Sequence, residues 1–264
     1  MIAFLDRQKR RYEAFAEIGQ QLLKAGFVPI ATAPWQDGGL RTDHTPRLLG
    51  VAASFPADNL LDPLKLFSLG PVYVPETSRW TETIDVEWVG SVGDTVESQV
   101  LRLLDRILGV LVSEDMLTDP AVMVMGNVGW VRQLGEISGL DSGLVDRHIT
   151  HWQSGDLTEL PDGNWPPKAL RDYFRPTEET AFFSRVGPVL GVSRKDIAVS
   201  HARMLWDLSM VGRHPYYTGL VFSVYHPKSG AELLSGGEFA LTVQGRRFTG
   251  MGFVLRLADQ GGSF

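Results

Sequence analysis

The chain has 264 residues, with 25 Lys+Arg against 31 Asp+Glu, a formal charge of −6 and 44% hydrophobic content. This describes a folded globular protein with ample length for a core, and its mild acidity argues against a broad surface for neutralising nucleic-acid phosphates. Cysteine is absent, which excludes disulfides, thiolate nucleophiles, iron–sulfur clusters and cysteine-ligated zinc.

The N-terminal segment predicts a helix. Asp6 can cap it, Phe15, Ile18, Leu22 and Leu23 recur at three- and four-residue steps, and Gly26 stops it. The basic run from Arg7 to Arg11 reads first as a solvated helix face, with a partner contact as the lesser reading. Asp6 and this run come too early for a signal-peptide core. The longest aliphatic stretch, Ile107 to Val112, falls far short of the ~20 residues of a membrane span. A cytoplasmic protein without a membrane segment is expected.

Phe27 to Thr32 is β-rich and ends near Pro34, and a second helix is expected from Thr45 to about Ala53. Strands are expected at Leu66–Val74 and Thr81–Val89. Asp94 opens the clearest helix, in which Val96, Val100, Leu103, Leu104, Ile107, Leu108 and Leu111 form a wide apolar stripe that must bury against a sheet. A buried strand at Ala121–Met125 and a helix at Val128–Ile137 follow. Residues 141–205 change character, with short helices broken by Pro161, Pro166, Pro167 and Pro176, and read as a helical insertion. Strands return at Leu220–Tyr225, Glu238–Val243 and Arg247–Leu257, joined by hairpin-type turns, Gln244-Gly245 among them. The order implies an α+β fold with a closing antiparallel sheet.

Motif searches narrow the chemistry mainly by exclusion. There is no P-loop, no dinucleotide fingerprint around Gly250-Met251-Gly252, and no nucleophile elbow around a serine. His148 and His151 share a helical spacing but lack a carboxylate at ligand distance, so a surface pair outweighs a metal site. Ser235-Gly236-Gly237 could cradle an anion through backbone N–H groups or simply form a hairpin bend.

Several stretches, in order over residues 11–257, resemble the catalytic domain of histidyl-tRNA synthetase and its non-synthetase paralogue, the regulatory subunit of short-form ATP phosphoribosyltransferase. Ala25 to Pro34 resembles the family's first motif, a helix then a strand at a dimer interface. Leu40-Arg41-Thr42-Asp43-His44-Thr45-Pro46 is similar to L-R-P-[ED]-x-T-P, and Gly70-Pro71-Val72-Tyr73 to G-P-V-F. Arg79 to Gly90 aligns without a gap to R-E-F-x-Q-x-G-x-E-x-x-G. Asp207 to Val211 with Tyr216 to Phe222 is similar to D-L-S-x-V-R-G-L-D-Y-Y-T-G-x-V-F. Ser235 to Phe239 resembles S-G-G-R-Y, and Gly252 to Leu255 resembles the start of the third motif.

The resemblance implies a class II synthetase-like antiparallel sheet flanked by helices, residues 1–264 forming one domain with 141–205 inserted, and no anticodon-binding domain. It also implies a homodimer. The departures bear on function. Val74 and Ala258-Asp259 stand where the family places ATP-holding arginines, and Arg256 replaces a glycine. Each missing guanidinium removes a charge-assisted phosphate contact of about 1.5–3 kcal/mol. Amino-acid adenylation and tRNA charging are therefore the poorer readings.

By resemblance, Asp43 and Glu87 would hold a ligand's ammonium and Tyr216 and Tyr217 would wall an imidazole. Thr45 and Thr83, the latter in place of glutamine, would line the same pocket. Arg213 would replace a lost neighbour one residue early. The expected function is that of a regulatory subunit without catalytic residues, cofactor or metal, which activates a phosphoribosyltransferase catalytic subunit in histidine biosynthesis and senses histidine or a similar amino acid. The alternatives are a repurposed amino-acid ligase and an interaction protein with a vestigial pocket.

Overall fold

The computed structural model describes residues 2–33, 35–36, 39–40, 44–55, 63–75, 78–90, 92–154, 168–193 and 199–257. Helix α1 runs Ile2–Lys24, so Asp6 lies inside it rather than capping it. Ala14, Ile18 and Leu22 on its inner face are fully buried, while Leu23 stays exposed. Gly26 ends the helix with φ of +83°, a conformation glycine adopts without steric cost. The β-rich stretch after it forms only the short strand β1, Val28–Pro29, although the Ile30 amide still donates to the Phe67 carbonyl at 2.8 Å.

After the small hairpin of β2 (Trp35–Gln36) and β3 (Gly39–Leu40), helix α2 spans Thr45–Ser54 with Pro46 in its first turn, where its missing N–H costs nothing. Strands β4 (Leu64–Val74) and β5 (Arg79–Val89) form a long hairpin. Helix α3 (Asp94–Ser113), strand β6 (Ala121–Asn127) and helix α4 (Val128–Ile137) follow.

Residues 141–205 hold α5 (Ser142–Gln153), a 3-10 turn at Lys168–Tyr173 and α6 (Glu179–Leu190). They also hold two strands, β7 (Thr177–Glu178) and β8 (Ala202–Trp206), which extend one edge of the sheet. Strands β9 (Tyr217–Tyr225), β10 (Glu232–Val243) and β11 (Arg246–Arg256) close the chain's main sheet. Gln244 and Gly245 have φ of 52° and 76° in the two-residue link between Val243 and Arg246, the left-handed turn that matches strand twist.

Nine strands lie in the order β1-β4-β5-β11-β10-β9-β6-β8-β7. The pairs β1·β4 and β6·β8 are parallel and the other neighbours antiparallel. Side chains alternate across this sheet and give it two unlike faces. On one face Ile84, Val86, Trp88, Phe253 and Leu255 pack with α1 and the apolar stripe of α3. On the other, Leu66, Val89, Phe239 and Phe248 pack with Leu48, Leu49 and Ala52 of α2. Among the described residues, no helix is long and apolar enough to cross a membrane.

Glycine performs a different job inside the sheet from the one its sequence context suggested. Ser235-Gly236-Gly237 forms neither a hairpin bend nor an anion cradle; it lies within β10, paired to β9 and β11. A Cβ on Gly236 would stand 2.2 Å from the Gly252 carbonyl, and one on Gly237 would stand 2.6 Å from that of Leu220. The glycines are there for close backbone approach. His148 is buried and His151 half-buried, and no group of three metal-capable side chains occurs among the described residues.

The turn after β8 buries Asp207. Burial pushes its carboxyl above the ordinary aspartate value, against hydrogen bonds from the Ser209 amide (2.8 Å) and hydroxyl (2.6 Å) that pull it down. With the folded pKa above the unfolded one, the native state holds the proton more tightly. Ionisation therefore costs stability above the folded pKa, and that cost disappears as pH falls through it toward about 3.9. Asp207→Asn keeps an acceptor for Ser209 without the charge. The variant should melt above the parent at pH about 7, and the two should converge on acidification across this window. Parallel melting curves, or a less stable variant at neutral pH, would contradict the assignment.

Candidate functional site

From Thr83 to Glu87 the polar residues of β5 occur at every second position. Thr83, Asp85 and Glu87 point to the α2 side while Ile84, Val86 and Trp88 enter the opposite core. The three line a cleft of about 500 Å³ together with Thr45, the β4–β5 hairpin, Arg213, Tyr216, Tyr217 and the facing residues of β10 and β11. That volume is in the ordinary range for a small-molecule pocket.

Glu87 is only 3% exposed, and it accepts a hydrogen bond from the Thr45 hydroxyl at the first turn of α2. It fits because its strand neighbour is Gly252, on which a Cβ would stand 2.1 Å from Glu87 Oε2. Thr83 is fully buried, and its hydroxyl lies 2.8 Å from Asp85 Oδ2 and 3.2 Å from the Gly70 carbonyl. Asp85 is as buried as Glu87. His44, immediately before α2, sets its Nε2 3.4 Å from the Gly70 carbonyl and 3.9 Å from Asp85 Oδ2. Its Nδ1 lies 2.7 Å from the Thr32 hydroxyl.

Aromatic rings make one wall. Tyr216 stacks on His214 at 4.8 Å and meets Tyr217 edge-on at 5.0 Å. Gly212, at φ +73°, makes room for this arrangement, since a Cβ there would stand 2.4 Å from Tyr217 Cδ2. A basic residue stands across from Thr83 in the sheet. Arg256 donates through Nη1 to Glu232 Oε1 at 3.0 Å and to the Ser235 hydroxyl at 2.9 Å. Arg213 is exposed and reaches the other oxygen of Glu232 at 3.5 Å. Two guanidiniums thus share one carboxylate. Val74 lines the hairpin side of the cleft with an aliphatic chain, and its partner across the hairpin, Arg79, is exposed.

The structure therefore gathers Thr45, Thr83, Glu87, Arg213, Tyr216 and Tyr217 around one cavity. Asp43 and the third-motif positions Ala258 and Asp259 lie outside the described residues. Sequence reasoning missed Asp85, His44 and the Glu232 link between the arginines. A charged residue alternating with apolar ones in a strand could have marked Asp85. Nothing local marks Glu232, because its role depends on the β10–β11 pairing.

The sequence model of the histidyl-tRNA synthetase family matches residues 184–259. Histidine–tRNA ligase of Sulfolobus acidocaldarius is 25% identical over 256 residues, covering 84% of this chain and 56% of the ligase. The ATP phosphoribosyltransferase regulatory subunit of Symbiobacterium thermophilum is 28% identical over 245 residues, covering 83% of this chain and 60% of that protein. The chain thus spans little more than half the length of these curated relatives.

Among solved structures, an ATP phosphoribosyltransferase regulatory subunit/histidyl-tRNA synthetase from Bacillus halodurans superposes with a TM-score of 0.70 at 19% identity, over 94% of this chain and 77% of that one. A chain of the ATP phosphoribosyl transferase complex from Thermotoga maritima gives 0.67 at 17% identity, over 97% and 98% of the two chains. The fold is that of class II synthetase-like proteins.

Proposed function

We propose that this chain is a regulatory subunit of an ATP phosphoribosyltransferase, a cytoplasmic protein that binds a catalytic subunit in histidine biosynthesis and performs no adenylation itself. The observation that carries this reading is the make-up of the cleft's outer half. Val74 offers no charge to a phosphate, and Arg256 is held by Glu232 and Ser235 within the cleft. A triphosphate bound there would have to compete with a carboxylate already bonded to the available guanidinium. The likeness to regulatory subunits and to a chain of the phosphoribosyl transferase complex supports the same reading. Ligases of similar identity keep amino-acid activation as the rival.

One experiment separates the two. The purified chain, mixed with a short phosphoribosyltransferase catalytic subunit, should raise that enzyme's rate and co-elute with it. It should show no amino-acid-dependent exchange of pyrophosphate into ATP. Robust exchange with any amino acid, without activation, would replace the regulatory reading with the ligase.

Within this reading residues 1–264 act as one synthetase-like unit carrying 141–205 as an insertion, and the cleft holds histidine or a similar amino acid. The α1–β1 segment pairs two copies across a two-fold axis. Leu5, Tyr12, Leu23 and Val28 are exposed along that segment, which accords with a covered face. Light scattering at about 20 µM should give twice the chain mass, a concentration suited to an obligate interface. A monomer mass would remove the homodimer from the proposal.

A further inference from the structure

On the face of the sheet opposite the cleft lies a second cavity, of about 420 Å³, bounded by the α1–β1 link, strands β4 and β5, and helix α3. Its apolar lining comes from Phe27, Trp88 and Leu103, all buried. Lys65, Arg102 and Arg106 bring three positive charges to its wall, in a chain whose formal charge is −6. The single carboxylate among the lining residues is Asp105, and it is engaged elsewhere. Its Oδ1 lies 2.9 Å from both the amide and the ring Nδ1 of His201. Glu13, Glu17 and Glu114 line a separate groove along α1, which has only Arg106 in common with this cavity.

Lys65 is fixed before any ligand arrives. Its Nζ lies 3.9 Å from the centroid of the Trp88 ring and donates to the Ala25 carbonyl at 3.1 Å. That uses one of three ammonium protons and leaves the others for an anion. Burial pulls the Lys65 pKa below the ordinary lysine value, a cost that an anion alongside would offset. Arg102 and Arg106 stand at i and i+4 on α3, one turn apart, where two like charges repel. Each guanidinium can fork onto its own oxyanion group, and Lys65 adds a point charge from the sheet side. A small monoanion leaves one fork unfilled, whereas two linked phosphate groups engage all three cations.

We infer that this cavity is a binding site for a compound bearing a diphosphate group, held by Lys65, Arg102 and Arg106. The sheet separates it from the cleft, because Glu87 and Trp88 are successive residues of β5 and point to opposite faces. The inference therefore stands apart from the reading of the cleft.

The test titrates pyrophosphate and inorganic phosphate calorimetrically into the full chain at neutral pH, without divalent cations and at fixed ionic strength. Pyrophosphate should bind at least tenfold more tightly than phosphate. Arg102→Gln and Arg106→Gln, both at exposed side chains, should each weaken pyrophosphate at least tenfold. Arg213→Gln, at the cleft, should leave it unchanged. The pyrophosphate-to-phosphate ratio of the parent protein decides the matter even if a variant fails to fold. Equal binding of the two anions, or no heat from either, overturns the inference. Weakened binding in Arg213→Gln with Arg102→Gln and Arg106→Gln unaffected would put the anion in the cleft and overturn it as well.

Discussion

Gly126→Ala is expected to lower the melting temperature by about 6–12 °C. Gly126 lies in β6 where the turn after β8 folds back over it, tied by the Asp207 amide to the Met125 carbonyl at 2.8 Å. A Cβ there would stand 2.0 Å from the Met210 carbonyl and 2.8 Å from that of Asp207. Both obstacles are backbone, so no side-chain rotation relieves the overlap. Either the parallel β6–β8 pairing or the turn must shift, and overpacking of that kind costs about 3 kcal/mol. At 2–4 °C per kcal/mol for a chain of this size, the shift follows. Gly139→Ala provides a comparison with a different cause, because nothing stands within 4 Å of its Cβ and only the φ of +71° is strained. If thermal denaturation puts Gly126→Ala within 2 °C of the parent, the close approach of the turn is wrong.

Glu87→Ala should weaken histidine binding at least tenfold, measured by calorimetry at neutral pH, where the ligand's ammonium is protonated. A charge-assisted pair in a dry site costs about 2–5 kcal/mol when one partner is truncated, so tenfold is the lower bound. Glu82→Ala on the same strand should leave affinity unchanged, because Glu82 is exposed and faces away from the cleft. Gly252→Ala reaches the same end by another route. It keeps the carboxylate, but the new Cβ would stand 2.1 Å from Glu87 Oε2 and 2.8 Å from the Val86 carbonyl, so its melting temperature is measured beside its affinity. Loss of binding in Glu87→Ala and Gly252→Ala, with Glu82→Ala intact, would tie the ligand to this carboxylate. Unaltered affinity in Glu87→Ala would move the ligand elsewhere or empty the cleft of function.

The amphipathic helices and most strands were legible in the chain because their periods are local. The α3 stripe, the α4 boundaries and the alternation in β5 each need only neighbouring residues to be read. Helix α1 overran its expected start because a polar residue such as Asp6 fits a helix surface as readily as a cap. Tyr216, Tyr217, Glu87, Thr45 and Thr83 were found as parts of a motif order, and their convergence on one cavity follows from the sheet's register.

What the sequence determined by itself was the class of fold, Glu87, Tyr216 and Tyr217 among the residues of the cleft, and the loss of a guanidinium at Val74. What only the tertiary structure decided was which charges face one another. Gly252 stands across from Glu87 in the sheet, and Arg256, Ser235 and Glu232 meet at distances of 2.9 and 3.0 Å. Asp85 is a second buried acid for the same reason. Local periodicity dictates which side of an element a residue occupies. Its partner across a nine-stranded sheet comes from elements far away in the chain, through pairings that no short window of sequence contains.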